Sequence, residues 1–171
     1  MAAKENRLSG RELVVFSLLG ALMFALKMAM AGLPNIEPIS LLLIAYTRVF
    51  GRKALWPLSV YVSLEFLMWG VGLWNINYLY VWVILFVAAR VFHRIQAPLG
   101  WAVLSGGFGL LFGLLCAPVY WVTGGWGAAV SWWVSGIPFD LLHCAGNFIG
   151  TLLLIRPCCT VLEHMKHQFF R

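Results

Sequence analysis

"LPNIEPISLLLIAY", Leu33 to Tyr46, decides how the rest of the chain is read. Its first six residues hold two prolines, an asparagine and a carboxylate, Glu37, and it stands between two strongly apolar runs. A plain hydrophobic anchor has no use for such a break. Upstream, an apolar span covers about 12–32; downstream, a short one covers about 39–49 and ends before "RVFGRK". The same alternation continues with spans at about 54–72, 75–92 and 100–122, and a last one from Pro138 to Ile155. Proline suits a first helical turn, where its missing N–H is no loss, and also a stop, so Pro138 is read as a start and Pro157 as an end. Between them "GGWGAAVSWWVSG" (124–136) reads as a loop or a short interfacial segment, with Trp126, Trp132 and Trp133 as belt residues.

Composition agrees with this reading. Of 171 residues, 62% are hydrophobic and 11% charged, with a mean hydropathy of +0.88. A soluble domain would lack the polar residues to coat that much apolar surface. Apolar runs of roughly 17–25 residues cross a bilayer core as helix. The expectation is an all-α integral membrane protein, a six-transmembrane-helix bundle forming one membrane domain over 1–171. Its tails are 1–11 and 157–171, and no soluble domain is expected. The mixed-charge start (Lys4, Glu5, Arg7, Arg11, Glu12) does not read as a cleavable signal. Cys116, Cys144, Cys158 and Cys159 lack ligand spacing and are read as small buried hydrophobes or bystander thiols, with no metal site.

The net charge of +6 orients the chain rather than implying a nucleic-acid partner. With the N-terminus inside, cytoplasmic segments hold Lys4, Arg7, Arg11, Arg48, Arg52, Lys53, Arg90, Arg94, Arg156, Lys166 and Arg171. The opposite connections (about 32–38, 70–76 and 123–136) hold no lysine or arginine. This asymmetry predicts cytoplasmic N- and C-termini and an even number of spans.

The one lysine left over, Lys27, lies inside the first span. Charged groups inside a bilayer are costly and normally face a cavity or each other. The others are Glu65, Asp140 and His143, with Glu37 at the mouth, and all fall toward the extracytoplasmic half. Lys27 is expected to pair with Glu65 or Asp140. In the last span Asp140, His143, Asn147 and Thr151 step by three or four residues and share a helix face. Asp140 is also expected in a first turn, where the helix dipole favours it. Two readings stand for the stripe: groups aimed into an outward pocket, or a cap (Asp140) and an interhelical tie (Asn147). Glu65 shares a face with Trp69, and "WNINYLYVW" brings Asn75, Asn77 and Tyr78 to the same depth, as pocket lining or as interfacial aromatics. Asn35 and Glu37 offer hydrogen bonds from the hinge. The expected binding set is therefore Lys27, Asn35, Glu37, Glu65, Trp69, Asn75, Asn77, Tyr78, Asp140, His143 and Asn147.

Small residues line one side of the first span: Ser17, Ala21, Ala25 and Ala29, with Gly20 beside them. Such stripes permit close helix approach, either within the bundle or to another subunit. Gly106, Gly109 and Gly113 repeat the theme, and there packing inside the bundle is expected.

Several segments together carry a resemblance. Ala21-x-x-x-Ala25, "LPNIEPISLL", "FGRK" (Phe50–Lys53) and "GIPFDLLHCAGNF" (Gly136–Phe148) resemble the substrate-binding S components of energy-coupling factor vitamin importers, over about 12–156. The resemblance implies a bacterial plasma-membrane subunit that binds a vitamin or related micronutrient in an outward cavity, under a lid formed by Leu33 to Pro38. It implies docking through Ala21 and Ala25, with Ala29 as an extension, onto a transmembrane T component carrying two cytoplasmic ATPases. The pattern that includes "FGLLFGLLCAPVYW" looks most like a subgroup with a cobalamin-specific member; pantothenate or a pyridoxine relative stays open.

No Walker-type glycine-rich loop is present, so ATP is expected on the partners and no cofactor on this chain. An intramembrane enzyme lacks a nucleophile in register, since Cys144 points about 100° away from His143, and His143 with a lone carboxylate lacks a metal's ligand count. The alternative is an autonomous secondary transporter or channel for a small polar solute, although no internal repeat is visible.

Overall fold

The computed structural model describes residues 8–33 and 35–170; the expectations placed on 1–7, Pro34 and Arg171 lie outside them. Every regular element among the described residues is helical. Helix α1 (Gly10–Ala29) opens with a reciprocal cap: the Glu12 N–H donates to Ser9 Oγ at 3.2 Å, and the Ser9 N–H donates to Glu12 Oε2 at 2.8 Å.

Helix α2 (Ile39–Phe50) has 12 residues, so it is about 18 Å long, well short of the ~30 Å hydrocarbon core. Every residue in it except Arg48 is buried. Neighbouring helices wrap it, and α2 is the central rod of the bundle. Gly51, at φ 62°, turns the chain into a single 3-10 turn (Gly51–Ala54) leading to α3 (Leu55–Trp69). Helices α1 and α3 run side by side at backbone distance. A Cβ on Gly20 would lie 2.6 Å from the Pro57 carbonyl oxygen.

Helices α4 (Leu73–Tyr78) and α5 (Val81–Val91) form one bent rod. At the bend the Tyr80 hydroxyl lies 2.8 Å from both Asn77 Oδ1 and the Leu115 carbonyl, and Asn77 Nδ2 donates to the Leu73 carbonyl. Polar side chains thus serve the irregular backbone at the bend. Helix α6 (Pro98–Leu110) passes through a break at Leu111 into α7 (Phe112–Phe169), and α7 itself folds back at Gly125 (φ 77°, ψ −178°). Paired contacts of Gly106 with Phe148, Gly109 with His143, Gly113 with Asp140, and Tyr120 stacked on Trp132 at 3.9 Å close inward on that glycine. They define an antiparallel hairpin, so the predicted intramolecular role of these glycines is met. Among the described residues, three stretches are long and apolar enough to cross a membrane: Gly10–Ala29, Leu73–Val91 and Pro98–Phe169.

Three expectations are corrected. Residues 124–136 do not form a loop, because Gly125 makes the whole reversal and helix resumes directly after it. Pro138 does not start a helix and Pro157 does not end one; both lie within the returning leg of α7. The missing N–H of each costs one ladder bond within a helix that continues past it. The 157–171 region is no separate tail through Phe169, since the buried stripe of Asp140, His143, Asn147 and Thr151 continues at Ile155, Cys159 and Leu162. Beyond it, Phe170 packs on Phe16 and Phe50.

The bundle has two distinct ends. At one, Lys53 pairs with Glu12, Arg48 lies 5.0 Å from the Trp101 ring, and Lys166 Nζ donates to the Val49 carbonyl. The other end holds the cavity.

Candidate functional site

The ends of α1, α3 and α4, the 30–38 connection and two residues of α7 enclose a cavity of about 570 Å³. Its deepest ionic feature is Lys27. Its Nζ donates to Glu65 Oε1 and to Tyr78 Oη, each at 2.9 Å. Glu65 is 1% exposed, so the expected partnership with Lys27 is found in its buried form. Tyr78 also accepts from Trp74 Nε1 at 3.1 Å, and its ring stacks on Tyr61. Removing one partner of such a pair leaves a buried charge uncompensated, which costs about 3–5 kcal/mol.

The stretch from Leu33 to Ile36, which the resemblance reads as part of a lid, is held by turn hydrogen bonds. Leu33 N–H donates to the Met30 carbonyl (2.8 Å) and Ile36 N–H to the Leu33 carbonyl (3.3 Å). Asn35 takes φ 53°, a left-handed conformation that Asn tolerates better than most residues. Ile36 seats the turn on α7: a Cβ at Gly146 would lie 3.3 Å from Ile36 Cγ2. Ile36 therefore sits close against the Gly146 backbone, where a side chain would crowd it.

Glu37 hangs from this connection into the cavity. Burial pushes its carboxyl up to about 7, against the pull of Lys27 and with a further push from Glu65. His143 faces it from α7. His143 is 2% exposed, packs edge-on to Phe112 at 4.9 Å, and neither ring nitrogen has a hydrogen-bond partner among the described residues. A buried polar atom left so costs about 1–3 kcal/mol. Its Nε2 stands 3.8 Å from Glu37 Oε1, beyond hydrogen-bond reach.

Eight of the residues predicted from sequence meet in this cavity: Lys27, Asn35, Glu37, Glu65, Trp69, Asn75, Tyr78 and His143. Asn75 has a second task, donating to the Gly70 carbonyl at 2.7 Å and so closing the C-terminus of α3. Three of the predicted residues lie outside it. Asn77 is fully buried at the α4–α5 bend. Asn147 donates to Ser40 Oγ at 2.9 Å and to the Ser105 carbonyl at 3.3 Å, tying α7 to α2 and α6. Asp140 is not in a first turn of its own helix; both its oxygens accept from the Gly113 N–H, at 3.0 and 3.1 Å. It caps the first turn of the neighbouring leg, where the break at Leu111 frees that donor. Asp140 instead borders a side cavity of about 170 Å³ that shares Asn35, Trp74 and Phe112 with the main one.

Sequence reasoning missed Phe112, Met28, Met30 and Ile36 as lining residues. Ile36 was legible within the hinge itself. Phe112 carried no local signal, because its place follows from the break at Leu111.

On α1, Ala21, Ala25 and Ala29 are exposed, while Gly20 on the adjoining face packs against α3. No protein-family model, curated protein or solved structure matches this chain.

Proposed function

We propose that this chain is the solute-capturing subunit of an ATP-driven importer of the energy-coupling factor type, in a bacterial plasma membrane. The observation that carries the reading is the cavity: polar and aromatic walls beside the 30–38 connection, at the end of the bundle opposite the basic end. Binding sites for small solutes combine apolar walls with a few placed polar groups in just this way. The exposed Ala21, Ala25 and Ala29 supply a smooth strip on which a transmembrane T component docks, and that component carries the two ATPases.

In this reading the chain crosses the membrane six times. The crossings are α1, α2, α3, the bent α4–α5 rod, and the two legs of the α6–α7 hairpin. Both ends of the chain then lie on the basic, cytoplasmic side, in keeping with the distribution of lysine and arginine. A volume of about 570 Å³ lies within the range of drug-sized ligand sites. It favours a vitamin or precursor of that size over a whole corrinoid, which would protrude through the mouth.

The test is uptake in proteoliposomes. The chain with a T component and ATPases should accumulate solute only with ATP, and the chain alone should not transport under an ion gradient. Ala21→Trp and Ala25→Trp should abolish uptake while leaving solute binding intact. Transport by the chain alone, driven by a gradient, would replace this reading with an autonomous secondary transporter.

A further inference from the structure

The cavity holds more acid than base. Glu37 and Glu65 face one ammonium, Lys27, and that ammonium is already engaged by Glu65 and Tyr78 at 2.9 Å each. Glu37 stops 3.8 Å short of His143 Nε2, and both ring nitrogens of that buried histidine are unpartnered among the described residues. Both ring nitrogens are sealed in this structure, so Glu37 must part from His143 for a nitrogen atom to enter and lie about 2.9 Å from each. The aromatic surroundings suit a positive charge: Phe112 lies 4.9 Å from His143, and Trp74 lies 6.0 Å from Phe112.

Building on the capture reading above, we propose that the solute carries a cationic, hydrogen-bond-donating nitrogen seated between the Glu37 carboxylate and the His143 ring. Its remainder lies along Trp74 and Phe112. An anionic solute would have to draw Lys27 away from Glu65 and add a charge beside an unpaired carboxylate. A cation relieves that carboxylate instead.

The same geometry predicts a proton. Glu37 is faced by Lys27 from α1, Glu65 from α3, Tyr78 from α4 and His143 from α7. With its carboxyl pushed up to about 7 by burial, Glu37 is partly protonated near neutrality. A cation beside it favours the ionised form, so the proton leaves on binding. Affinity for the cation then rises as pH rises through that value.

Calorimetry on the full chain in lipid nanodiscs tests this, at pH about 7, in buffers of differing ionisation enthalpy. Pyridoxamine, ethanolamine and histamine, whose ammonium groups carry N–H, serve as cationic probes; nicotinate, pantothenate and biotin serve as acids. The expected result is binding of a cationic probe with net proton release, weakened about tenfold or more by Glu37→Gln. His143→Asn should weaken the same probe. Unfolding midpoints of both variants separate a binding loss from a folding loss, and Glu37→Asp should retain proton release. An acid that binds more tightly than every cation overturns the proposal and leaves the capture reading standing. So does cation binding indifferent to Glu37→Gln and His143→Asn. If no probe of either sign binds, the proposal falls, and the uptake assay decides whether the capture reading falls with it.

Discussion

Two lysine–glutamate pairs clamp α1 to the α2–α3 region, one at each end of the bundle. Lys53–Glu12 closes the basic end, and Lys27–Glu65 floors the cavity. Their chemistry is the same and their surroundings differ. The Lys53 and Glu12 side chains are 31% and 11% exposed, and Glu12 keeps a second tie to the Ser9 N–H. Lys27 and Glu65 are 20% and 1% exposed, and their remaining neighbours are tyrosines. At the basic end the pair fastens a surface that is already capped and packed. At the cavity end it neutralises charge that has nowhere else to go. An ion pair is therefore informative about function when its surroundings would not tolerate either partner alone.

The sharpest way to break that contrast is Lys27→Met. It strands Glu65 beneath the cavity, and should cost about 3–5 kcal/mol, read as a large drop in unfolding midpoint in detergent. The double variant Lys27→Met with Glu65→Met should recover most of that loss, because it removes the stranded charge with its partner. It should not recover solute binding. If the double variant is as unstable as the single one, the pair serves packing rather than charge balance.

These two ends also differ in how far the sequence foretold them. Lys27, Glu65, Asp140 and His143 stood out because charge inside an apolar span is costly, and three of the four do meet at the cavity. Asp140 was misplaced because spacing along one helix cannot reveal a donor on another. Its partner is the Gly113 N–H, exposed by a break that no local signal marks. The 157–171 tail fails for a different reason. Pro157 reads as a stop, although Ile155, Cys159 and Leu162 carry on the spacing of the buried stripe through it. Periodicity was the stronger signal there, and a single proline the weaker one.

Asp140 supplies a prediction of middle size. A Cβ on Gly113 would lie 2.5 Å from Asp140 Oδ2, inside the contact that caps the start of α7 in the first leg of the hairpin. Gly113→Ala should thus lower stability by roughly 1–3 kcal/mol, as overpacking of a filled site does. The effect should be felt at the cavity end, as weaker solute binding through displaced Phe112. Gly146→Val acts on the 30–38 connection alone, crowding Ile36, and should raise the solute's dissociation rate with little change in unfolding midpoint.

The smallest effect belongs to the outer pair. Lys53→Met removes the partner of Glu12 but leaves the Ser9 cap in place. Glu12 is itself buried, at 8% exposed, but it keeps the Ser9 N–H, so the cost should stay below that of Lys27→Met, with solute binding unchanged. The same unfolding measurement as for Lys27→Met gives the comparison directly. A loss at Lys53 as large as that at Lys27 would mean that the basic end, too, is built around a charge it cannot afford to free. The capping box would then be subordinate to the ion pair. The expected inequality rests on one structural difference: Glu12 has a backbone N–H to hold when its lysine is gone, whereas Glu65 is left facing a cavity whose other carboxylate, Glu37, repels it.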